Sequence, residues 1–174
     1  MKKICFFTIG VCLLSFSFAQ NTETKTRTIP AIDVQTIDGE AFNTSKISND
    51  GKPIIISFWA TWCKPCVKEL TSIAEVYEDW QKETGVKLIA VSIDDATTSA
   101  SVKPFVLGKG WNYDVLLDIN GNFKRALNVN LVPSTFLVND KGEIVWSHTS
   151  FAEGGELELI KLVKKIIAGE PLTE

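Results

Sequence analysis

Histidine and methionine are almost missing from this chain: His148 is the only histidine and Met1 the only methionine among 174 residues. Cysteine is scarce too, with Cys5 and Cys12 near the N-terminus and Cys63 and Cys66 as the remaining pair. A structural zinc site built on Cys63 and Cys66 would need two further ligands, and no second cysteine or histidine pair stands downstream. A c-type haem attachment needs a histidine directly after the second cysteine, where Val67 stands instead. A basic run is also lacking: the formal charge is −3, which argues against nucleic acid or an anionic membrane surface as the main partner. No internal repeat is present, and no apolar run reaches the ~20 residues that span a bilayer.

The N-terminus carries a short basic start, Met1-Lys2-Lys3, then an apolar stretch over 4–18 and a small-x-small step, Ser17-Phe18-Ala19, ahead of polar Gln20-Asn21-Thr22. This pattern is that of a secretory signal peptide over residues 1–19; an uncleaved membrane anchor is the alternative. A lipoprotein signal does not fit, because Cys12 lies inside the apolar run behind Val11. Cys5 and Cys12 would leave with the peptide, and the mature chain would keep one cysteine pair in a compartment where disulfides persist, the periplasm. The Thr-rich stretch 20–28 reads as a flexible leader. Residues 29–174 have the size of one domain.

What is present is Trp62-Cys63-Lys64-Pro65-Cys66, placed directly after the apolar run Ile54-Ile55-Ile56-Ser57-Phe58-Trp59. A Cys-x-x-Cys at the junction of a strand and a helix reads as a redox-active dithiol. The unpaired N–H groups and the positive end of the helix dipole there favour a thiolate. A bridge closing so short a loop restricts the unfolded chain little, so a purely structural disulfide is a poor alternative.

The runs 52–59 and 86–93 are continuously apolar, as in strands buried on both faces, and a helix over 63–82 separates them. This is a βαβ unit with parallel strands. Along that helix Cys66, Leu70, Ile73, Tyr77 and Trp80 form one apolar stripe. Segments 31–36 and 40–44 flank Asp38-Gly39 and predict a small hairpin ahead of the core. A weaker helix is expected over 98–107, kinked at Pro104, then a strand over 113–117 and a helical turn over 120–127. Segments 135–138 and 143–147 bracket Asn139-Asp140-Lys141-Gly142 and predict an antiparallel hairpin. A final helix over 156–168 carries Leu157, Ile160, Val163 and Ile167 on one face. The fold class is therefore α/β, a mixed central sheet flanked by helices with an additional N-terminal β-hairpin.

The segment Phe58-Trp59-Ala60-Thr61-Trp62-Cys63-Lys64-Pro65-Cys66 resembles the active-site signature of thioredoxin-fold proteins. With Gly51-Lys52-Pro53, Val132-Pro133-Ser134-Thr135-Phe136 and Asp140-Lys141-Gly142, the chain is similar to the TlpA/ResA-like extracytoplasmic thiol-disulfide oxidoreductases from about residue 29 to 168. The resemblance implies a thioredoxin fold, Pro133 as a cis-proline facing the disulfide, and Val132 offering its backbone to a bound substrate. It further implies electrons from a membrane-embedded thiol carrier and work on envelope protein disulfides, as in cytochrome c maturation or related thiol maintenance.

Cys63, nearer the helix start, is the expected nucleophile, and Cys66, on the apolar stripe, the resolving thiol. Glu69 lies three residues beyond Cys66 at the edge of the stripe, where burial would raise its pKa; a Glu there is often a proton-transfer group in the resembling family. Ser57 stands where many thioredoxins have a buried Asp, which leaves Glu69 as the nearest base. Trp62 is expected to form a flat apolar rim for docking, with core packing as its alternative, and His148 reads as structural. The expected partner is a disulfide-bearing protein. No metal, no cofactor beyond the dithiol, no nucleic acid and a monomeric state are expected. Two other functions stay open at this point: an oxidase donating its disulfide, and a metal or copper delivery module using the two thiolates. A thiol peroxidase would place its cysteine in a Pro-x-x-x-Thr-x-x-Cys setting, which is absent.

Overall fold

The computed structural model describes residues 27–172; the expected signal segment and most of the expected leader lie outside the described residues. The two central apolar runs are strands β3 (Ile54–Trp59) and β4 (Lys87–Ser92), paired in parallel with Ile56 opposite Ile89. All six residues of β3 are buried, because one face of the strand meets each of two cores. Ile55 and Trp59 point into a core shared with the helices, while Ile54, Ile56 and Phe58 join Phe123, Leu127 and Phe136 on the other side. Full burial of a side chain such as Phe58 stabilises the fold by about 1.5–3 kcal/mol.

Helix α1 (Lys64–Thr84) connects the two strands. Its buried residues are the expected stripe, Cys66, Leu70, Ile73, Tyr77 and Trp80, with Glu69 added. The helix stops at Gly85, whose φ of 66° is left-handed and whose N–H bonds the Gln81 carbonyl. A Cβ there would also sit 2.5 Å from the Lys52 side chain. Glycine satisfies both demands.

The chain continues through α2 (Val102–Lys109), β5 (Asp114–Leu117), α3 (Asn122–Ala126), β6 (Ser134–Val138), β7 (Ile144–Thr149) and α4 (Gly155–Ala168). With the N-terminal β1 (Asp33–Thr36) and β2 (Ala41–Asn43), the strands make one seven-stranded sheet in the order β2-β1-β5-β4-β3-β6-β7. β5 is parallel to β4, whereas β6 and β7 run antiparallel, so the sheet is mixed as expected. The N-terminal hairpin is not a separate appendage, because β1 pairs antiparallel with β5 and extends the central sheet. Thr28, at the end of the expected leader, bridges Glu143, and the Ile144 N–H bonds the Arg27 carbonyl at 2.7 Å. The domain thus takes hold of the chain before residue 29.

Two local expectations change. Residues Ser99–Ser101 form a 3₁₀ turn and α2 begins only at Val102. Pro104 therefore falls in the first helical turn, where its missing N–H is not needed, and it kinks nothing. In α4 the buried stripe is Leu159, Ile160 and Val163, while Leu157 and Ile167 are 56% and 52% exposed. The expected face is therefore half right: Ile160 and Val163 are buried, but packing on α1 turns Leu159 inward in place of Leu157 and Ile167.

Candidate active site

Cys63 is the N-cap of α1, in extended backbone (φ −90°, ψ 94°), and its Sγ accepts the Cys66 N–H at 3.3 Å. The two cysteines are joined as a disulfide with their Cα atoms 5.3 Å apart. The cap position puts Cys63 Sγ at the positive end of the helix, where an N–H already points at the atom that carries the charge when the bond is reduced. Cys66 is fully buried and Cys63 nearly so, which keeps the expected order of accessibility.

The loop that delivers Cys63 is held from below by Asp94, which sequence reasoning missed. Asp94 accepts the Thr61 N–H at 2.9 Å, the Thr61 hydroxyl at 2.6 Å and the Ser92 hydroxyl at 2.8 Å, and it is wholly buried. An acid just beyond a buried strand and a Thr just before a Trp-Cys step were the only signals, and nothing in the sequence linked them.

The two tryptophans of the motif separate. Trp59, at the end of β3, is fully buried and packs edge-on against Trp111 at 5.0 Å. Trp62, in the loop, is 61% exposed; the rim position, not core packing, is where it lies. Across from it the Val132 carbonyl lies 3.8 Å from Cys63 Sγ, and the Val132–Pro133 peptide is cis. Trp62 and Val132 line one groove of about 450 Å³ with Ile93, Asp95, Lys124 and the exposed Leu131. Lys64 points into solvent.

Glu69 is only 6% exposed. Its Oε1 accepts the Thr135 hydroxyl at 2.9 Å, and its Oε2 accepts the Ser57 hydroxyl at 3.4 Å. Ser57 and Thr135 are direct register partners on β3 and β6, so both hydroxyls stand on the sheet face that α1 covers. Burial pushes the carboxyl up to about 7, and the two hydrogen bonds hold it back from rising further. Thr135, visible in the sequence only as part of Val-Pro-Ser-Thr-Phe, is thus the main polar partner of Glu69. Tyr113, neutral because burial raises its pKa well above the usual phenol range, donates to the Leu70 carbonyl at 3.2 Å.

A disulfide at a helix N-cap, facing a Val-Pro edge on a mixed sheet, is the arrangement of a thioredoxin-like site. The model of the AhpC/TSA family matches residues 26–147. The chain belongs to the AhpC/TSA family. Within it the chain is a thiol-disulfide oxidoreductase of the ResA-like kind. The sporulation thiol-disulfide oxidoreductase A of Bacillus subtilis is 32% identical over 143 residues, covering 79% of this chain and 84% of that one. Thiol-disulfide oxidoreductase ResA of Halalkalibacterium halodurans is 30% identical over 132 residues, covering 75% and 72%. Among solved structures, a thioredoxin-like protein from Porphyromonas gingivalis superposes with a TM-score of 0.73 at 54% identity, over 82% of this chain and 94% of the other. StoA from Bacillus subtilis superposes at 0.61 with 27% identity, over 76% and 97%. A thiol-disulfide oxidoreductase acts on disulfide-bearing substrates, and this chain carries a Cys63–Cys66 pair.

Proposed function

We propose that the chain is an extracytoplasmic protein-disulfide reductase. Reduced Cys63 is the nucleophile: its thiolate attacks one sulfur of a partner disulfide and forms a mixed disulfide, releasing the other partner sulfur as a thiolate. Cys66 then gives its proton to the Glu69 carboxylate and attacks Cys63 Sγ. The Cys63–partner bond breaks with its electron pair on the partner sulfur, so the partner gains two electrons and the Cys63–Cys66 disulfide is left. A membrane-embedded thiol donor restores the dithiol. Trp62, Val132 and Pro133 form the edge on which an extended partner segment docks, with the Val132 backbone as a strand-like acceptor.

The observation that carries the reading is Glu69: a carboxyl buried on the same face of α1 as the buried cysteine, three residues on, and pushed up to about 7 by that burial. A group of that kind accepts and returns a proton at neutral pH, as the resolving step requires. The extracytoplasmic setting is supported by the N-terminal apolar segment; within the described residues no helix is long and apolar enough to cross a membrane. Partners in the envelope, including those of cytochrome c maturation, fit the same reading.

The test is trapping. Cys66→Ser should accumulate mixed disulfides with partner proteins on Cys63, whereas Cys63→Ser should abolish insulin reduction and trap nothing. Equal trapping by both variants would remove the assignment. A second reading, an oxidase that donates the disulfide, is favoured by one feature, the Cys66 N–H aimed at Cys63 Sγ, since a strongly stabilised thiolate makes an oxidant.

A further inference from the structure

The face of the sheet beneath α1 carries a polar row that runs past Glu69 to the protein surface. Ser57 on β3 is the register partner of Thr135 on β6, and Thr135 is in turn the register partner of His148 on β7. Directly opposed residues of antiparallel strands share a face, with their Cβ atoms about 4.5–5.5 Å apart. His148 therefore lies on the same face as, and directly across from, the residue whose hydroxyl bonds Glu69 at 2.9 Å. His148 is exposed, and its ring is stacked on Trp146 at 5.8 Å and 17°, which holds the plane. Glu69, Thr135 and His148 also line one pocket of about 240 Å³, walled by Ile73 and Leu159, with room for several waters.

The position of this pocket matters to the proton. Cys66 and Glu69 are buried, and in the mixed disulfide a partner lies over the Trp62–Val132 groove. The pocket lies between β7 and α4 and shares no lining residue with that groove, which gives the proton a second way out, separate from the groove. We propose that His148 relays the proton between Glu69 and solvent through this pocket and the Thr135 hydroxyl. The inference rests on Glu69 as the proton acceptor for Cys66. As Cys66 attacks, its proton passes to the Glu69 carboxylate; the Glu69 carboxyl then passes a proton to the His148 imidazole, and the imidazolium releases it to water. Imidazole is the side chain suited to such exchange near neutral pH.

The other charged groups that line the pocket are acidic. Glu156 and Glu158 of α4 line it, and Glu156 Oε2 is buried with no hydrogen-bond partner among the described residues. No lysine or arginine lines the pocket among the described residues. Tyr113, which feels the charge of Glu69, stays neutral.

The experiment is single-turnover oxidation of the reduced protein by a disulfide-bonded peptide, followed by tryptophan fluorescence at neutral pH. Wild type, His148→Gln and Glu69→Gln are compared in dilute buffer, with and without added imidazole. His148→Gln should slow the resolving step by about tenfold, less than the 10²–10⁴ typical of a group that takes the proton directly, because water alone still reaches the pocket. Imidazole should restore most of that loss and leave Glu69→Gln slow. An unchanged rate in His148→Gln beside a slow Glu69→Gln would overturn the relay and leave the role of Glu69 standing. A slow His148→Gln that imidazole does not rescue would make the residue structural. An unchanged rate in Glu69→Gln would overturn both readings.

Discussion

Replacing Glu69 by Gln should reshape how the stability of the oxidised protein depends on pH. The carboxyl is pushed up to about 7 in the folded chain from an ordinary value of 4.5, and desolvation is the main cause. Ionising it in place therefore costs the folded state about 3 kcal/mol, at about 1.4 kcal/mol for each pH unit between the two values. The sign follows from proton binding. Between those values the folded chain holds the proton and the unfolded chain has lost it, so stability falls as pH rises. The contribution is fully present below pH 4.5, declines up to about pH 7, and is gone above that. Glutamine keeps an oxygen for the Thr135 hydroxyl and an N–H₂ for Ser57, yet has no charge to bury. Urea unfolding of both proteins across this range should give a stability difference, variant minus wild type, that grows by about 3 kcal/mol between the acid and the alkaline end. With a slope of about 1–3 kcal/mol per molar urea, such a change moves the midpoint by about a molar unit or more. Taking the difference removes the titration of every other group. Parallel stability curves for the two proteins would refute the argument, because they would mean that Glu69 ionises in the folded state as easily as in the unfolded chain.

Thr135→Val removes the hydrogen bond that does most to hold the Glu69 carboxyl down, so the pH-rate profile of exchange should shift to higher pH; a shift to lower pH would contradict the geometry. Asp94→Ala strands the Thr61 N–H and two hydroxyls, at about 1–3 kcal/mol for each group left buried and unpaired; a loss below 1 kcal/mol in urea unfolding would show that the loop before Cys63 does not depend on it. The apolar surroundings of the sulfurs raise the cost of a bare thiolate and outweigh the single N–H on Cys63, so the expected reduction potential is nearer about −270 mV than about −120 mV. Equilibration with glutathione buffers measures it, and a value well above about −180 mV would favour the oxidase.

Much of this protein was legible along the chain because its signals are local. The apolar runs of β3 and β4 bracket a helix whose stripe, from Cys66 to Trp80, needs only a period of 3.6 to be seen. Asp38-Gly39 and Asn139 to Gly142 mark turns by their own chemistry, and the cysteine spacing marks the pair that forms the disulfide. The sequence could also place Glu69 on the cysteine side of α1. It could not say what lay opposite, because that depends on strand pairing. Ser57, Thr135 and His148 are far apart in the chain, and only the register of β3, β6 and β7 sets them in one row. The same holds for Asp94 and Thr61, 33 residues apart, for the face of α4 that is buried, and for Trp59 and Trp62, near neighbours in the motif of which one is core and the other rim. Periodicity is written into neighbouring residues, whereas burial of a polar group and the partner that satisfies it are decided where distant segments meet.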